Sequence, residues 1–340
     1  MGLSERRPHL RAISENRRPY SRFATAACAA LLSSAAHAET FPLPPPGVDL
    51  IGELRVVTAK QEDTLLDIAR RFNLGYNEIT AANPNVDPWV PGEGTRVIVP
   101  SQFILPPGAR RGVVLNLAQL RLFYFAAPKK GKPALVVTQP VGIGTDYART
   151  PLGETRIVRK TPDPIWRPSR DIREEHVAAG HWLDAEVKPG PDNPLGKFAL
   201  YLGLRGGYLI HGTNKPWGIG MRVSHGCIRL YPEGIEELYP RVPVGTPVRI
   251  INERFVLGWR KKVPYLQVFA ATDENPEGQT DLSPLVQNLL KRTLRSGPPD
   301  WATAIRTASE RRAIPVPIAP GSVSLEEMLE QLTEEAQPAR

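Results

Sequence analysis

The chain has 340 residues, a length that accommodates two or three domains of ordinary size. Hydrophobic residues make up 41% and charged residues 23%, which excludes wholesale disorder because enough apolar side chains are present to form a core. The 36 prolines are about twice the usual share, so an all-helical bundle is also excluded.

Residues 1–38 have the composition of a secretory signal peptide. Six arginines precede an apolar stretch at 23–36, and Ala36-His37-Ala38 fits a small-residue cleavage site. The stretch is shorter than the ~20 residues of a transmembrane helix. We therefore expect cleavage before Glu39 and no stable membrane span afterwards. The alternatives are an uncleaved anchor and a lipid attached to Cys28.

Removal of this leader changes both the charge and the cysteine count. The six arginines and two glutamates of the leader carry +4 of the total net charge of +8, so the mature chain keeps +4. That excess is too small to indicate nucleic acid binding. The mature chain also keeps a single cysteine, Cys227, which has no partner for an internal disulfide. This thiol is therefore either buried and inert or reactive.

A stiff linker and a small module come next. Residues 39–50 contain four prolines and are expected to form an extended linker. Residues 51–100 combine short apolar runs with an N-cap at Asp63-Thr64. They predict, in order, a strand at 55–57, a helix at 65–72, a helix at 78–82 and a strand at 96–99.

The module resembles the LysM family, which binds glycans that contain N-acetylglucosamine. The resemblance rests on Glu62-Asp63-Thr64-Leu65, on Asn83 and on Pro91-Gly92. It also rests on Val97-Ile98-Val99-Pro100, whereas Glu62 stands where the family usually has glycine. The alternative is a purely structural βααβ domain.

Residues 111–252 have the pattern of a β-rich domain. The predicted strands lie at 113–117, 120–125, 135–138, 198–202, 208–211 and 248–251, with one helix from Pro232 to about Leu238. Residues 253–340 form a C-terminal extension, in which we expect helices at 284–294, 301–311 and 325–332. Ser324 and Glu327 predict a capping box for the last of these helices.

Two short segments carry the residues that indicate covalent chemistry. A strand ends at His211, and the segment Ser224-His225-Gly226-Cys227-Ile228-Arg229 follows. An imidazole beside a thiol can take its proton, which leaves a thiolate–imidazolium pair. Gly226 leaves room for a carbonyl carbon to approach the sulfur, and nearby backbone N–H groups can stabilise an oxyanion. Arg229 can hold a carboxylate in a bidentate grip.

These segments, with His211-Gly212-Thr213 and Thr150-Pro151-Leu152-Gly153-Glu154, are similar to the signature of the L,D-transpeptidase (YkuD-type) catalytic domain. The resemblance implies a mainly β chain with a β-sandwich-like catalytic domain, joined to the βααβ module and the helical extension. It also implies no metal and no cofactor, Cys227 as nucleophile and His211 as general base. The remaining site residues that we expect are His225 beside the nucleophile and the substrate-binding residues Arg229, Ser224, Gly226, Gly212 and Thr213.

The layout resembles the ErfK/YbiS type of Gram-negative enzymes, which implies a periplasmic location. The partners that it implies are peptidoglycan stems and glycan strands, and an outer-membrane lipoprotein lysine is a further candidate acceptor. The expected reaction forms a thioester, expels D-alanine and passes the acyl group to an amine. The alternatives are an L,D-carboxypeptidase-type hydrolase with the same acyl-enzyme and a non-catalytic peptidoglycan-binding protein.

Two questions about the histidines stay open at this point. Adjacency in the chain favours His225 as the base, whereas the family pattern favours His211. Zinc bound by both histidines and Cys227, with His176 or His181 as a fourth ligand, is disfavoured because His225-x-Cys227 lacks the usual ligand spacing. His176, His181 and Trp182 lie in a Pro/Gly-rich insertion that either borders the cleft or is plain surface.

Overall fold

The computed structural model describes residues 39–128, 130–270, 281–293 and 297–336. All of them belong to one compact unit. The predicted leader, with its cleavage and lipidation alternatives, lies outside the described residues. Within the part of the chain that is described, no helix is long and apolar enough to cross a membrane.

Strands outnumber helices, so the expected mainly β architecture is confirmed. The strands are β1 (Glu39–Pro42), β2 (Leu50–Gly52), β3 (Arg55–Thr58), β4 (Arg96–Val99), β5 (Gln102–Ile104), β6 (Gly112–Asn116), β7 (Arg121–Phe125), β8 (Leu135–Pro140), β9 (Ile143–Gly144), β10 (Gly153–Pro162), β11 (Phe198–Leu202), β12 (Leu209–His211), β13 (Arg222–Ser224), β14 (Ile228–Arg229), β15 (Pro247–Ile251), β16 (Phe255–Arg260), β17 (Val263–Val268) and β18 (Val316–Pro317). The helices are α1 (Leu65–Arg71), α2 (Tyr76–Ala82), α3 (Arg170–Ala178), α4 (Pro232–Arg241), α5 (Ser283–Thr293), α6 (Trp301–Glu310) and α7 (Leu325–Glu335), with a 3-10 turn at Pro216–Gly218.

Nine strands form the main sheet, in the order β1-β8-β7-β6-β15-β10-β11-β12-β14. The pairs β6–β15 and β12–β14 are parallel, and the other neighbours are antiparallel. On β6, Val113 and Leu115 pack with α4 residues such as Ile235, whereas Val114 packs on the opposite face. The continuous apolar sequence of this strand reflects burial on both faces.

The module has the predicted order of strand, helix, helix, strand, with β3 and β4 paired antiparallel. Thr64 caps α1, because its hydroxyl accepts a hydrogen bond from the Asp67 N–H while the Asp67 carboxylate accepts one from the Thr64 N–H. The apolar residues Leu65, Ile68 and Ala69 of α1 are buried, as their spacing predicts.

The module shares its core with the main sheet. Ile68 of α1 belongs to the same buried cluster as Val114, Phe123 and Val136 of the sheet. At the centre of this contact the fully buried Arg121 of β7 donates to both carboxylate oxygens of Glu78, at 2.6 and 2.7 Å. A linker before the module and a short segment after it suggest a separately folded unit, but the shared core joins module and sheet into one packing unit.

The C-terminal extension contains the three predicted helices and an unpredicted sheet of β16, β17 and β18. Leu285 and Leu289 of α5 are buried with Phe255 and Leu266 of this sheet. The predicted capping box forms at Ser324, whose hydroxyl accepts from the Glu327 N–H. Helices α5 and α6 therefore cover the extension's own sheet, whereas Leu325 and Leu329 of α7 pack with Ala82 and Ile98 of the module as well as with Val316.

Three further elements differ from the expectations. Residues 39–42, predicted as linker, form the edge strand β1, where Pro42 is tolerated because the edge demands fewer N–H donors. Strand β10 pairs with both β11 and β15 although Ile157 is its one fully buried residue. Helix α3 forms in the Pro/Gly-rich insertion and has no buried residue.

Candidate active site

Parallel pairing of two short strands at the sheet edge brings His211 and Cys227 together. Ile210 of β12 lies opposite Ile228 of β14, and His211 lies opposite Arg229. Side chains two residues apart on a strand point to the same face. Cys227, which directly precedes β14, therefore shares a face with His211 and Arg229. The Cys227 thiol also contacts the backbone of Leu209, one strand away.

His211 is a buried, neutral imidazole. Its Nδ1 lies 2.6 Å from the Gly212 carbonyl oxygen. Since a carbonyl oxygen accepts and does not donate, Nδ1 carries the hydrogen and Nε2 keeps a lone pair. Burial, and then the charge of Arg229, lowers the pKa of His211 to about 3, although the carbonyls of Gly212 and Leu195 oppose this shift. The ring is therefore neutral at pH 7 and holds an added proton only weakly while the site is empty.

Cys227 and Arg229 are both largely withdrawn from water. Burial raises the pKa of the Cys227 thiol, while the Leu209 backbone and the Arg229 charge partly oppose the rise. Burial also lowers the pKa of Arg229. Among the described residues, the buried Nε of Arg229 has no hydrogen-bond partner. Both pKa shifts disfavour a thiolate–imidazolium pair before substrate binds, and Arg229 adds a donor that is unused among the described residues.

The loop before Cys227 is held by hydrogen bonds within the chain. The Ser224 hydroxyl donates to the Cys227 carbonyl at 2.6 Å and accepts from the Gly226 N–H at 3.1 Å. The Thr150 hydroxyl donates to the Gly226 carbonyl at 2.9 Å and accepts from the Gly144 N–H at 3.0 Å. Ser224 therefore shapes the loop, and the Gly226 N–H is already used and does not face an oxyanion.

Gly226 is required by both conformation and space. Its φ of +99° lies in the region that favours glycine. A Cβ at this position would lie 2.7 Å from Cε1 of Tyr208 and 3.3 Å from the Arg149 carbonyl oxygen. The ring of Tyr208 therefore packs directly against the loop, a contact that no sequence signal predicts.

His225 is more exposed than His211, Cys227 and Arg229. It is half-exposed, and its Nε2 lies 2.7 Å from Oε2 of Glu175 on α3. The insertion thus borders the site through Glu175, which the sequence did not single out because α3 has no apolar face. Within the described residues no group of three or more His, Cys, Asp or Glu side chains is arranged to hold a metal ion.

Gly212 and Thr213 support the far side of His211. A Cβ at Gly212 would lie 3.0 Å from Cγ2 of Ile235 on α4, so the glycine allows the helix to pack closely against the end of β12. The buried Thr213 hydroxyl accepts from the Lys215 N–H at 3.0 Å. Both residues therefore have a structural role within the chain, and their role in substrate binding stays a prediction.

The sequence matches two families along its length. Residues 110–250 match the L,D-transpeptidase catalytic domain, and residues 57–100 match the LysM domain. Among solved structures, the crystal structure of L,D-transpeptidase 3 from Mycobacterium tuberculosis is similar at 19% identity over 46% of this chain and 66% of that one, with a TM-score of 0.29.

Curated relatives are similar over a larger part of the chain. The probable L,D-transpeptidase YbiS of Escherichia coli is 42% identical over 68% of this chain and 74% of its own length. The probable L,D-transpeptidase ErfK/SrfK of Salmonella typhimurium is 41% identical over 65% of this chain and 71% of its own length. With the catalytic-domain match, this similarity shows that the chain belongs to the L,D-transpeptidase family and is an enzyme of that family, with a LysM domain in front of its catalytic domain.

Proposed function

We propose that this enzyme transfers a peptidoglycan peptide stem through a thioester on Cys227. The Cys227 sulfur attacks the carbonyl carbon of the donor amide while His211 Nε2 takes the thiol proton. Collapse of the tetrahedral intermediate breaks the C–N bond, and the proton passes to the departing D-alanine amine. An acceptor amine then attacks the thioester, loses a proton to His211 and leaves the Cys227 thiol free. The single observation that carries this proposal is the buried, neutral His211 on the same strand face as the only cysteine of the mature chain.

The geometry favours His211 over His225 as the base. His211 is buried, faces Cys227 across the β12–β14 pair and keeps a lone pair on Nε2. His225 points toward solvent and contacts the Glu175 carboxylate. A base must have a free lone pair to take a proton, and His211 keeps one on Nε2 whereas the Nε2 of His225 is engaged with Glu175.

Arg229 fits the role of a clamp for a substrate carboxylate. An internal salt bridge to Glu233 or Glu236, which follow Arg229 closely in the chain, is the alternative role, but Glu233 pairs with Arg70 and Glu236 with Lys197, both at 2.8 Å. The guanidinium keeps a buried donor without a partner among the described residues. A donor stem has free carboxylates at its diaminopimelate residue and at its terminal D-alanine, and an arginine fork matches that group.

The LysM domain and the expected leader support a cell-wall location for this reaction. We propose a periplasmic enzyme whose LysM domain binds peptidoglycan glycan strands. Its products are either cross-linked stems or stems attached to a lipoprotein lysine. The hydrolase alternative uses the same acyl-enzyme but yields a shortened stem, so mass spectrometry of the products distinguishes transfer from hydrolysis.

The test compares three alanine variants on a soluble tetrapeptide stem. Cys227→Ala abolishes turnover, and a carbapenem probe adds its mass to the wild type at Cys227 but adds none to this variant. His211→Ala lowers kcat by about 10²- to 10⁴-fold, as expected for loss of a general base. His225→Ala is the matched control with a smaller loss. An active Cys227→Ala variant contradicts the mechanism, and a larger loss at His225 than at His211 reverses the assignment of the base.

A further inference from the structure

The LysM domain holds both ends of the segment that carries Cys227. Before the segment, the carbonyl oxygens of Ile219 and Gly220 accept hydrogen bonds from the N–H groups of Tyr76 and Asn77, at 3.0 and 3.3 Å, at the start of α2. After the segment, the Tyr231 hydroxyl donates to the Leu74 carbonyl at 3.0 Å. The LysM domain is therefore fixed against the catalytic loop on two sides.

Two glycines make this contact possible. A Cβ at Gly220, whose φ is +83°, would lie 2.3 Å from the Tyr76 nitrogen. A Cβ at Gly75 would lie 2.6 Å from the Gly220 Cα. The two backbones therefore approach more closely than any side chain would permit.

A crevice of about 270 Å³ opens beside this contact. Thr64, Asp67, Arg70 and Tyr76 line it from the LysM domain, and Trp217 and Tyr231 line it from the catalytic domain. Trp217 is 61% exposed, and Trp89, whose ring centroid lies 6.4 Å from that of Tyr76, is 60% exposed. Large exposed indoles beside a crevice are typical of a binding surface and unusual on plain protein surface.

We propose that this crevice binds one sugar of an N-acetylated glycan strand, with Trp217 as its stacking surface. The inference rests on the proposed function and adds a glycan contact supplied by the catalytic domain itself. A sugar ring has an apolar C–H face that suits an indole, and its hydroxyl and acetamido groups suit the polar side chains at the rim. The crevice lies just below the ~300–1,000 Å³ of drug-sized ligand sites, which fits a single ring and excludes a folded protein segment.

The position of Trp217 gives this contact a role in the reaction. The residue lies in the 3-10 turn that leads into β13 and then to Cys227. A stem is covalently attached to its glycan strand. A sugar held on Trp217 therefore brings the attached stem to the nucleophile as one substrate, and the enzyme should prefer stems that still carry their sugars.

The experiment measures binding and substrate preference in Trp217→Ala, Trp217→Phe and Trp182→Ala. Trp182 is a matched control, because it is 83% exposed but does not line the crevice, and its Nε1 donates to Asp184 at 3.0 Å. The binding probe is glycan strand freed of peptide stems. The two substrates are disaccharide-tetrapeptide and free tetrapeptide.

Trp217→Ala should weaken binding of the stem-free strand by about 3- to 10-fold, the size expected for one lost aromatic contact. It should lower the ratio of kcat/KM for the disaccharide-linked stem over the free stem by a similar factor. Trp217→Phe should retain most of the strand binding and most of the preference for the disaccharide-linked stem. Trp182→Ala should match the wild type in both measurements.

Wild-type strand binding by Trp217→Ala, or an unchanged substrate ratio, overturns the glycan contact. So does a Trp217→Phe variant as weak as Trp217→Ala with a lowered Tm, because Trp217 would then be structural. These outcomes leave the proposed function standing, provided that the wild type turns over the free tetrapeptide. If the wild type turns over neither substrate, the proposed function itself fails.

Discussion

At the scale of single residues, the order of the two pKa values at the site decides how the nucleophile is activated. Burial raises the pKa of Cys227 and lowers that of His211 to about 3, so the proton stays on sulfur in the resting enzyme. In the proposed mechanism, transfer of the proton to His211 therefore accompanies attack on the substrate. A neutral thiol is also less reactive toward alkylation and oxidation than a thiolate.

The pH dependence of Cys227 alkylation tests this order. With iodoacetamide and a chain that begins at Glu39, the rate should rise continuously from pH 6 to pH 9, since the raised pKa of the thiol puts its deprotonation above the ordinary range. The urea-unfolded chain is the control and should titrate near the usual ~8.5. Because His211 is neutral above about pH 3, its own titration should give no step near pH 6.5. A rate plateau at neutral pH would instead indicate a thiolate–imidazolium pair.

Arg229→Lys tests the carboxylate clamp. Lysine keeps the charge but loses the planar fork, so kcat/KM for the natural stem should fall about 10- to 150-fold, the range for a charged hydrogen bond of ~1.5–3 kcal/mol. A stem with amidated carboxylates should lose much less, and Tm should change little. Equal losses on both stems with a lower Tm would assign Arg229 a structural role.

Gly226→Ala tests the shape of the nucleophile loop. The new Cβ meets the Tyr208 ring at 2.7 Å, and the backbone is strained at φ +99°, so Cys227 should shift and kcat should fall at least ~10²-fold. Gly245→Ala is the matched control, since its φ is +88° but nothing lies within 4 Å of the added Cβ. The control should lose about 1–2 kcal/mol of stability and keep its kcat. A Gly226→Ala variant with wild-type kcat would show that the loop tolerates the displacement.

The sequence alone identified the chemical residues of the candidate site but not their arrangement. The residue types around Cys227 predict a cysteine nucleophile with an imidazole base, and the family resemblance implies His211, but the side-by-side placement of His211 and the Cys227 segment depends on the parallel register of β12 and β14. The contact between His225 and Glu175 depends on α3, in which no residue is buried. Long-range pairing of this kind has no local signature in the chain.

At the scale of secondary-structure elements, the sequence predicted the helices and strands that have apolar periodicity. It missed the strands that are held in place mainly by hydrogen bonds to neighbouring strands. Helix α1 of the LysM domain and helix α6 of the extension each bury three residues at helical spacing, which is why the sequence predicted their positions. Strand β10 has almost no apolar alternation and is held by neighbours on both sides. The β16–β17 hairpin turns at Lys261 and Lys262, both at positive φ, where an Asn-Gly signal would usually mark the turn.

Glu78→Gln tests the ion pair that joins α2 to β7. Arg121 is fully buried and makes its ion pair with the Glu78 carboxylate, so with the neutral amide the guanidinium loses that partner and keeps the electrostatic influence of the Glu39 carboxylate. We expect a loss of about 3–5 kcal/mol in the free energy of unfolding, measured by urea denaturation. Glu62→Gln, on an exposed part of the same domain, should change it by less than ~0.5 kcal/mol. Equal stability of the two variants would show that the ion pair is dispensable.

At the scale of the whole molecule, the shared core predicts that the LysM domain and the catalytic sheet unfold together. The apolar face made by Val114, Phe123 and Val136 is covered by the LysM domain, so removal of residues 51–100 would expose it to water. Point variants are therefore the better means of separating glycan binding from catalysis. They also measure how far a disturbance inside the LysM domain reaches the active site.

Ile68→Ala makes this measurement, because Ile68 is a fully buried residue of α1 that belongs to the shared cluster. The cavity should cost about 2–5 kcal/mol, and at ~2–4 °C per kcal/mol the Tm should fall by several degrees. Activity on a free tetrapeptide should be lost at that same lowered temperature, in a single transition, since the sheet loses its cover when the LysM domain opens. Leu285→Ala, in the separate cluster of the extension, is the control and should lower the temperature of activity loss by less. If Ile68→Ala instead gives two transitions and activity survives the first, the LysM domain opens without the sheet, and the shared core does not couple them.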